Sequence, residues 1–152
     1  MKLELHWLNC IWLILPLLVW NLILGSRISD PRIISDAHAP QGLLIAENVP
    51  RSLVFALPLL ILLPRGVDGQ SALSKAGLIV YIFGTLVYFS TWLPLLLAPT
   101  SVWSKSPAGP LAPRLTPFLS FLGIALLGDS WPYGAIAAVF IFFHTWHGIQ
   151  NL

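Results

Sequence analysis

Residues Ala76 to Ala98 read AGLIVYIFGTLVYFSTWLPLLLA, a run without one charged side chain. A helix rises ~1.5 Å per residue, and ~20 apolar residues cover the ~30 Å hydrocarbon core of a bilayer. This run is therefore long enough to cross a membrane. A helix on the surface of a soluble globule would need a polar stripe for its water-facing side, and none is present. Gly77 and Gly84 give the run a flat face where another helix approaches closely, within the chain or in a homo-oligomer. Tyr81, Tyr88 and Trp92 add aromatic bulk, and Pro94 is placed to kink the far end.

The remaining sequence has the same character. Of the 152 residues, 57% are hydrophobic and only 9% are charged. Soluble domains carry roughly 25% charged residues, so this chain lacks the polar surface to coat a water-facing globule. Lipid is the expected outer solvent. The net charge is +2 and the basic residues are scattered singly, which leaves no footprint for nucleic acid. Cys10 is the only cysteine, so an intramolecular disulfide, a cysteine zinc site and a CxxC pair are all excluded.

The expected fold is an all-α integral membrane protein, a polytopic bundle of four to five transmembrane segments in a single domain over 1–152. Approximate segments are 5–24, 50–64, 76–98, 115–128 and 131–149. The first follows Lys2, carries Trp7, Trp12 and Trp20, and lacks a small-x-small cleavage site. It reads as a retained span kinked at Pro16, not a signal peptide. Proline disfavours helical backbone at Val49, so the second helix is expected to start at Pro50 with Asn48 near its cap. Pro99, Pro107, Pro110 and Pro113 mark 99–114 as a loop. Thr116-Pro117 then reads as an N-cap and first helical residue.

The run from Pro117 to Leu127 covers only about 17 Å, so the fourth segment is expected to be short or re-entrant. Otherwise it is a tilted span that starts near Leu111 and carries Arg114. Gly128-Asp129-Ser130 forms a turn with capping residues, and the fourth segment should fold back on the last helix as a hairpin. Arg27, Arg32, Arg51, Lys105 and Arg114 fall on one side, against Lys2, Arg65 and Lys75 on the other. The bias predicts a cell-membrane protein with the C-terminus cytoplasmic and the N-terminus outside.

Candidate site residues are few. His144 and His147 share a helical face, roughly in line with Tyr133, Phe140 and Asn151. Imidazole ligates metals, but a metal or haem at His144 and His147 would need a third ligand, with Glu47 or His6 as the available donors. The plainer reading is two interfacial histidines, and no metal or cofactor is assigned. Glu47 and Arg51 are spaced for a helical ion pair, with Asn48 as a further polar group. Arg114 and Arg51 on the same side suit an anionic headgroup or acidic substrate. No Ser-His-Asp order, Gly-rich phosphate loop or HExxH is present.

The runs His38-Ala39-Pro40 and Glu47-Asn48-Val49-Pro50 resemble stretches of membrane-associated eicosanoid and glutathione enzymes, which bind glutathione among arginines. The resemblance covers about a dozen residues. It departs at Asp36, where that pattern has arginine, and in its wider His-to-Glu spacing.

Two classes of function follow. One is a non-enzymatic assembly subunit of a larger membrane complex, or a binder of lipid or another apolar ligand. The other is a membrane-embedded enzyme or carrier acting on an apolar or headgroup-bearing substrate through Glu47, Arg51, Arg114, His144 and His147. The second requires those groups to converge on one cavity; the first scatters them around the headgroup rims.

Overall fold

In the computed structural model, the residues described are 9–25, 27–28, 30–34, 39–63 and 71–152. Their regular structure is helical throughout: α1 (Ile11–Gly25), α2 (Pro31–Ile34), α3 (Gln41–Ala56), a 3₁₀ turn (Leu57–Leu59), α4 (Ala72–Leu97), α5 (Val102–Lys105), α6 (Ala108–Leu115), α7 (Pro117–Leu127) and α8 (Trp131–Gln150). Among the described residues, three helical stretches are long and apolar enough to cross a membrane: Gln41–Leu59, Ala72–Leu97 and Ala108–Leu127.

The centre of the bundle is the antiparallel pair α4 and α7. Glycine sets their separation. A Cβ added at Gly123 would lie 2.4 Å from the Tyr81 backbone nitrogen. At Gly77 it would lie 2.5 Å from the Leu127 nitrogen, and at Gly84 2.6 Å from the Leu119 Cβ. The flat face of α4 is thus used within the chain, against α7. Two hydrogen bonds cross the contact: Ser74 Oγ donates to Leu127 O at 3.3 Å, and the Thr85 and Ser120 hydroxyls pair at 3.1 Å.

Around this pair the other helices close a core of Leu17, Tyr88, Phe121, Ile124, Tyr133 and Phe140. α8 packs on α3, α6 and α7, and turns back from α7 at Gly128–Ser130. α1 runs beside α4, where Tyr81 Oη donates to Leu13 O at 2.8 Å and Tyr88 Oη donates to Asn21 Oδ1. Just before α1, Asn9 Nδ2 donates to Leu59 O at 2.7 Å. The outer faces are apolar, with Leu22 79%, Ile79 69% and Leu97 80% exposed.

Proline accounts for the main differences from the sequence expectations. α3 does not begin at Pro50. It begins at Gln41 and carries Pro50 buried within it. The missing amide hydrogen at one position costs less than ending a helix packed along its length on α8. The 99–114 stretch is not a loop, since it forms α5 and α6 with Pro113 inside α6. Thr116 is no cap: its backbone is helical (φ −65°, ψ −27°) and its hydroxyl donates to Ala112 O at 2.9 Å. The fourth segment is therefore neither short nor confined to 115–128. α6 and α7 join into one 20-residue apolar stretch with Arg114 inside it. Ser130 precedes α8 without a side-chain capping bond, and Asp129 (φ 47°) makes the turn through left-handed backbone. The expected start of the first segment (5–8), Arg65, and the end of the second (Pro64) lie outside the described residues.

Candidate functional site: a buried carboxylate beside an aromatic cavity

Continuing α3 through Pro50 puts Glu47 and Arg51 one helical turn apart on the same face. That face meets α8, which presents His144 and His147 from successive turns. Glu47 is 1% exposed and gathers three side chains. Arg51 Nη2 donates to Oε1. His144 Nδ1 lies 2.8 Å from Oε1, and His147 Nδ1 lies 2.7 Å from Oε2.

The protons follow from the donor inventory. With a guanidinium on the same oxygen, Glu47 is a carboxylate and only accepts. Each histidine must then carry its proton on Nδ1, because a lone pair aimed at a carboxylate oxygen would repel it. In the neutral imidazole this leaves Nε2 of His144 without a proton.

α6 supplies Arg114, 6% exposed, beside the backbone of His144. Its Nη2 donates to Ile33 O at 2.8 Å, with longer contacts of 3.4 Å from Nη2 to Arg32 O and from Nη1 to His144 O. Gly148 makes room for it: a Cβ there would lie 2.5 Å from Arg114 Cδ. The carbonyl of Ile33 is held in turn by a brace on α2. Arg32 Nη2 lies 2.7 Å from Asp30 Oδ2 and donates to Ser104 O at 3.0 Å, while Nη1 donates to Lys105 O at 3.1 Å. The hydrogen bonds from Arg32 hold the Asp30 carboxyl below its usual range, and Asp30 in turn raises Arg32.

Between these groups lies a partly open cavity of about 180 Å³. Its apolar wall is Leu17, Phe55, Trp92, Phe121 and Phe140, and its polar wall is Asn21, Tyr88, Arg114 and His144. The aromatic rings are in register: Phe55 meets Phe121 edge-on at 6.2 Å, Phe121 meets Phe140 at 6.1 Å, and Phe140 stacks on His144 at 5.2 Å. Because Tyr88 donates to the Asn21 carbonyl, the Asn21 amide NH₂ remains to donate elsewhere.

Of the residues expected to matter, Glu47, Arg51, His144 and His147 meet in one cluster with Arg114 beside it, and two of the five, Arg114 and His144, line the cavity. Asn48 does not: it is exposed and lines a shallow outer groove with Ile45 and Ser52. A metal or haem on His144 and His147 has no support from the geometry. Both Nδ1 atoms face the Glu47 carboxylate, which sits between them. Among the described residues no group of three or more His, Cys, Asp or Glu is arranged to hold a metal. His6 and His38 lie outside the described residues. Asn21, Tyr88, Trp92, Phe121 and Gly148 were not singled out from sequence as site residues. Only Gly148, directly after His147, carried a signal, since a helical glycine often marks close approach.

Comparison with known protein families, curated proteins and solved structures finds no match. The short likeness to eicosanoid and glutathione enzymes gains no support from it.

Proposed function

We propose that the chain is a multi-pass membrane protein that binds an amphiphile with an anionic head in the cavity between α1, α4, α6 and α8. The observation that carries this reading is the sharing of one cavity by the buried Arg114 guanidinium and an aromatic wall. A guanidinium in a poorly hydrated site is a strong partner for carboxylate or phosphate. Rings of phenylalanine and tryptophan suit the first carbons of a tail. A water occupies ~30 Å³ of liquid, so the cavity holds about six water volumes. That accommodates a head and a few carbons, and the remaining tail runs out among lipid chains. The exposed apolar side chains of α1 and α4 support lipid as the surrounding solvent.

That a cation and an imidazole, Arg114 and His144, share a cavity with aromatic rings favours a ligand-handling protein over an assembly subunit. The contacts linking Arg32, Lys105 and Arg114 gather basic residues at one end of the bundle. By the positive-inside rule that end is cytoplasmic, and α8 ends there.

The test compares octanoate with octanol, which share a tail and differ in charge. In calorimetry on detergent-solubilised protein, octanoate binds at least tenfold more tightly. A charge-assisted hydrogen bond contributes about 1.5–3 kcal/mol, so Arg114→Gln weakens octanoate about 10- to 100-fold. Octanol binding stays as in the wild type and reports an intact cavity. Equal octanoate affinity in wild type and variant would remove the proposal.

A further inference from the structure

We infer that the site takes its anionic ligand together with one proton, so that the ligand is an amphiphilic weak acid bound in net protonated form. The inference rests on the reading above and follows from donor and acceptor parity at His144.

His144 lines the cavity while its Nδ1 faces Glu47 at 2.8 Å. The Nδ1 proton is committed to that carboxylate, so the ring nitrogen left for a bound molecule is Nε2, a bare lone pair. A carboxylate head is also acceptor-only. Brought in by Arg114 on one side, it would set two lone pairs against each other at His144. One proton placed between Nε2 and the ligand oxygen removes the repulsion and makes a charge-assisted hydrogen bond in its place.

The surrounding charges permit this. Among the described residues, the charged and titratable groups facing His144 are Glu47 and Arg51 on α3, Arg114 on α6 and His147 on α8, with the Tyr88 hydroxyl lining the same cavity from α4. Glu47 and Arg51 offset each other. A bound anion and an imidazolium at His144 offset each other as well. An imidazolium at His144 then lies between two carboxylates, one from the protein and one from the ligand. The bond inventory is balanced: the proton comes from solvent, no covalent bond changes, and the proton leaves with the ligand. An alcohol head differs in kind. Its hydroxyl donates directly to Nε2, and no extra proton is needed.

The experiment measures affinity against pH near and above neutrality, for wild type and His144→Asn. If one proton enters with each ligand, octanoate affinity falls about tenfold per pH unit and octanol affinity is flat. Heats of octanoate binding in buffers of different ionisation enthalpy then report close to one proton taken up. Asparagine donates an amide hydrogen to the carboxylate without titrating, so His144→Asn binds octanoate with little pH dependence. That arm excludes simple partitioning of the neutral acid into the apolar cavity or the detergent, which would keep its pH dependence in the variant. Octanoate binding that is independent of pH in the wild type overturns the inference and leaves the anion site standing. A tenfold slope that survives in His144→Asn overturns it as well. Failure of both ligands to bind overturns the proposed function itself.

Discussion

Gly123→Ala tests the contact on which the cavity is built. The added Cβ would lie 2.4, 2.5 and 2.6 Å from the N, Cα and Cβ of Tyr81. Ordinary carbon contacts are about 3.5–4.0 Å, so the shortfall is roughly 1 Å. The obstructing atoms are backbone and Cβ, so no rotamer change relieves the clash, and α4 and α7 must move apart. Overpacking of this kind costs about 1–3 kcal/mol. Separation also stretches the Thr85–Ser120 pair, and such bonds between apolar helices contribute about 0.6 kcal/mol. Against this, alanine favours helix over glycine by about 1 kcal/mol. The net expectation is a loss of about 0.6–2.6 kcal/mol. Gly42→Ala is the control, since a Cβ at Gly42 in α3 meets nothing within 4 Å and should stabilise the protein by up to about 1 kcal/mol. Equilibrium unfolding in detergent, followed by helical circular dichroism, gives both numbers. Gly123→Ala as stable as the wild type would refute the close α4–α7 crossing, and with it the placement of Phe121 in the cavity wall.

Two further outcomes follow from the contacts of the site. Gly148→Ala sets a Cβ 2.5 Å from Arg114 Cδ, a side-chain atom that yields, so octanoate affinity should fall several-fold with thermal stability little changed; calorimetry beside a melting curve separates the two. Because the Asp30 carboxyl is held below its ordinary value of 3.8, the Asp30–Arg32 brace stabilises the fold fully above that value and is lost as pH falls through the depressed one. The stability gap between wild type and Asp30→Asn should therefore narrow from neutral to strongly acid pH, and a constant gap in Tm would show that the pair contributes nothing as an ion pair.

Sequence reasoning reached the fold where one signal dominated. The uncharged run from Ala76 is α4, because no other structure satisfies its backbone and its side chains together. It failed where two local rules competed with packing. Pro50 and Pro113 each argued for a break, yet α3 and α6 continue through them, since the neighbouring helices bury those faces. At the site, helical spacing pairs Glu47 with Arg51 and His144 with His147, because those relations are local. The meeting of Glu47 with His144, 97 residues away, is a product of packing that no periodicity reports. Tyr88 and Phe121 are core residues, and the hollow beside them is a property of shape, not of residue type.

The plainest alternative for Glu47 is a clip that fastens α3 to α8. Energetics weigh against that being its whole role. A buried ionic cluster contributes little net stability, because desolvation offsets its attractions, and apolar residues of similar volume often do as well or better. Hydrogen bonds between apolar helices contribute about 0.6 kcal/mol on average, which a single Ser–Thr pair such as Thr85 and Ser120 already provides at α4–α7. A clip therefore has no need of a carboxylate with three donor side chains on it. The particular effect of this arrangement is to fix the tautomer of His144 at the edge of a cavity that also holds a cation. A carboxylate behind an imidazole does the same wherever the far nitrogen must meet a ligand without a proton of its own. The buried cluster is thus better explained by what it prepares His144 to accept than by the helices it joins.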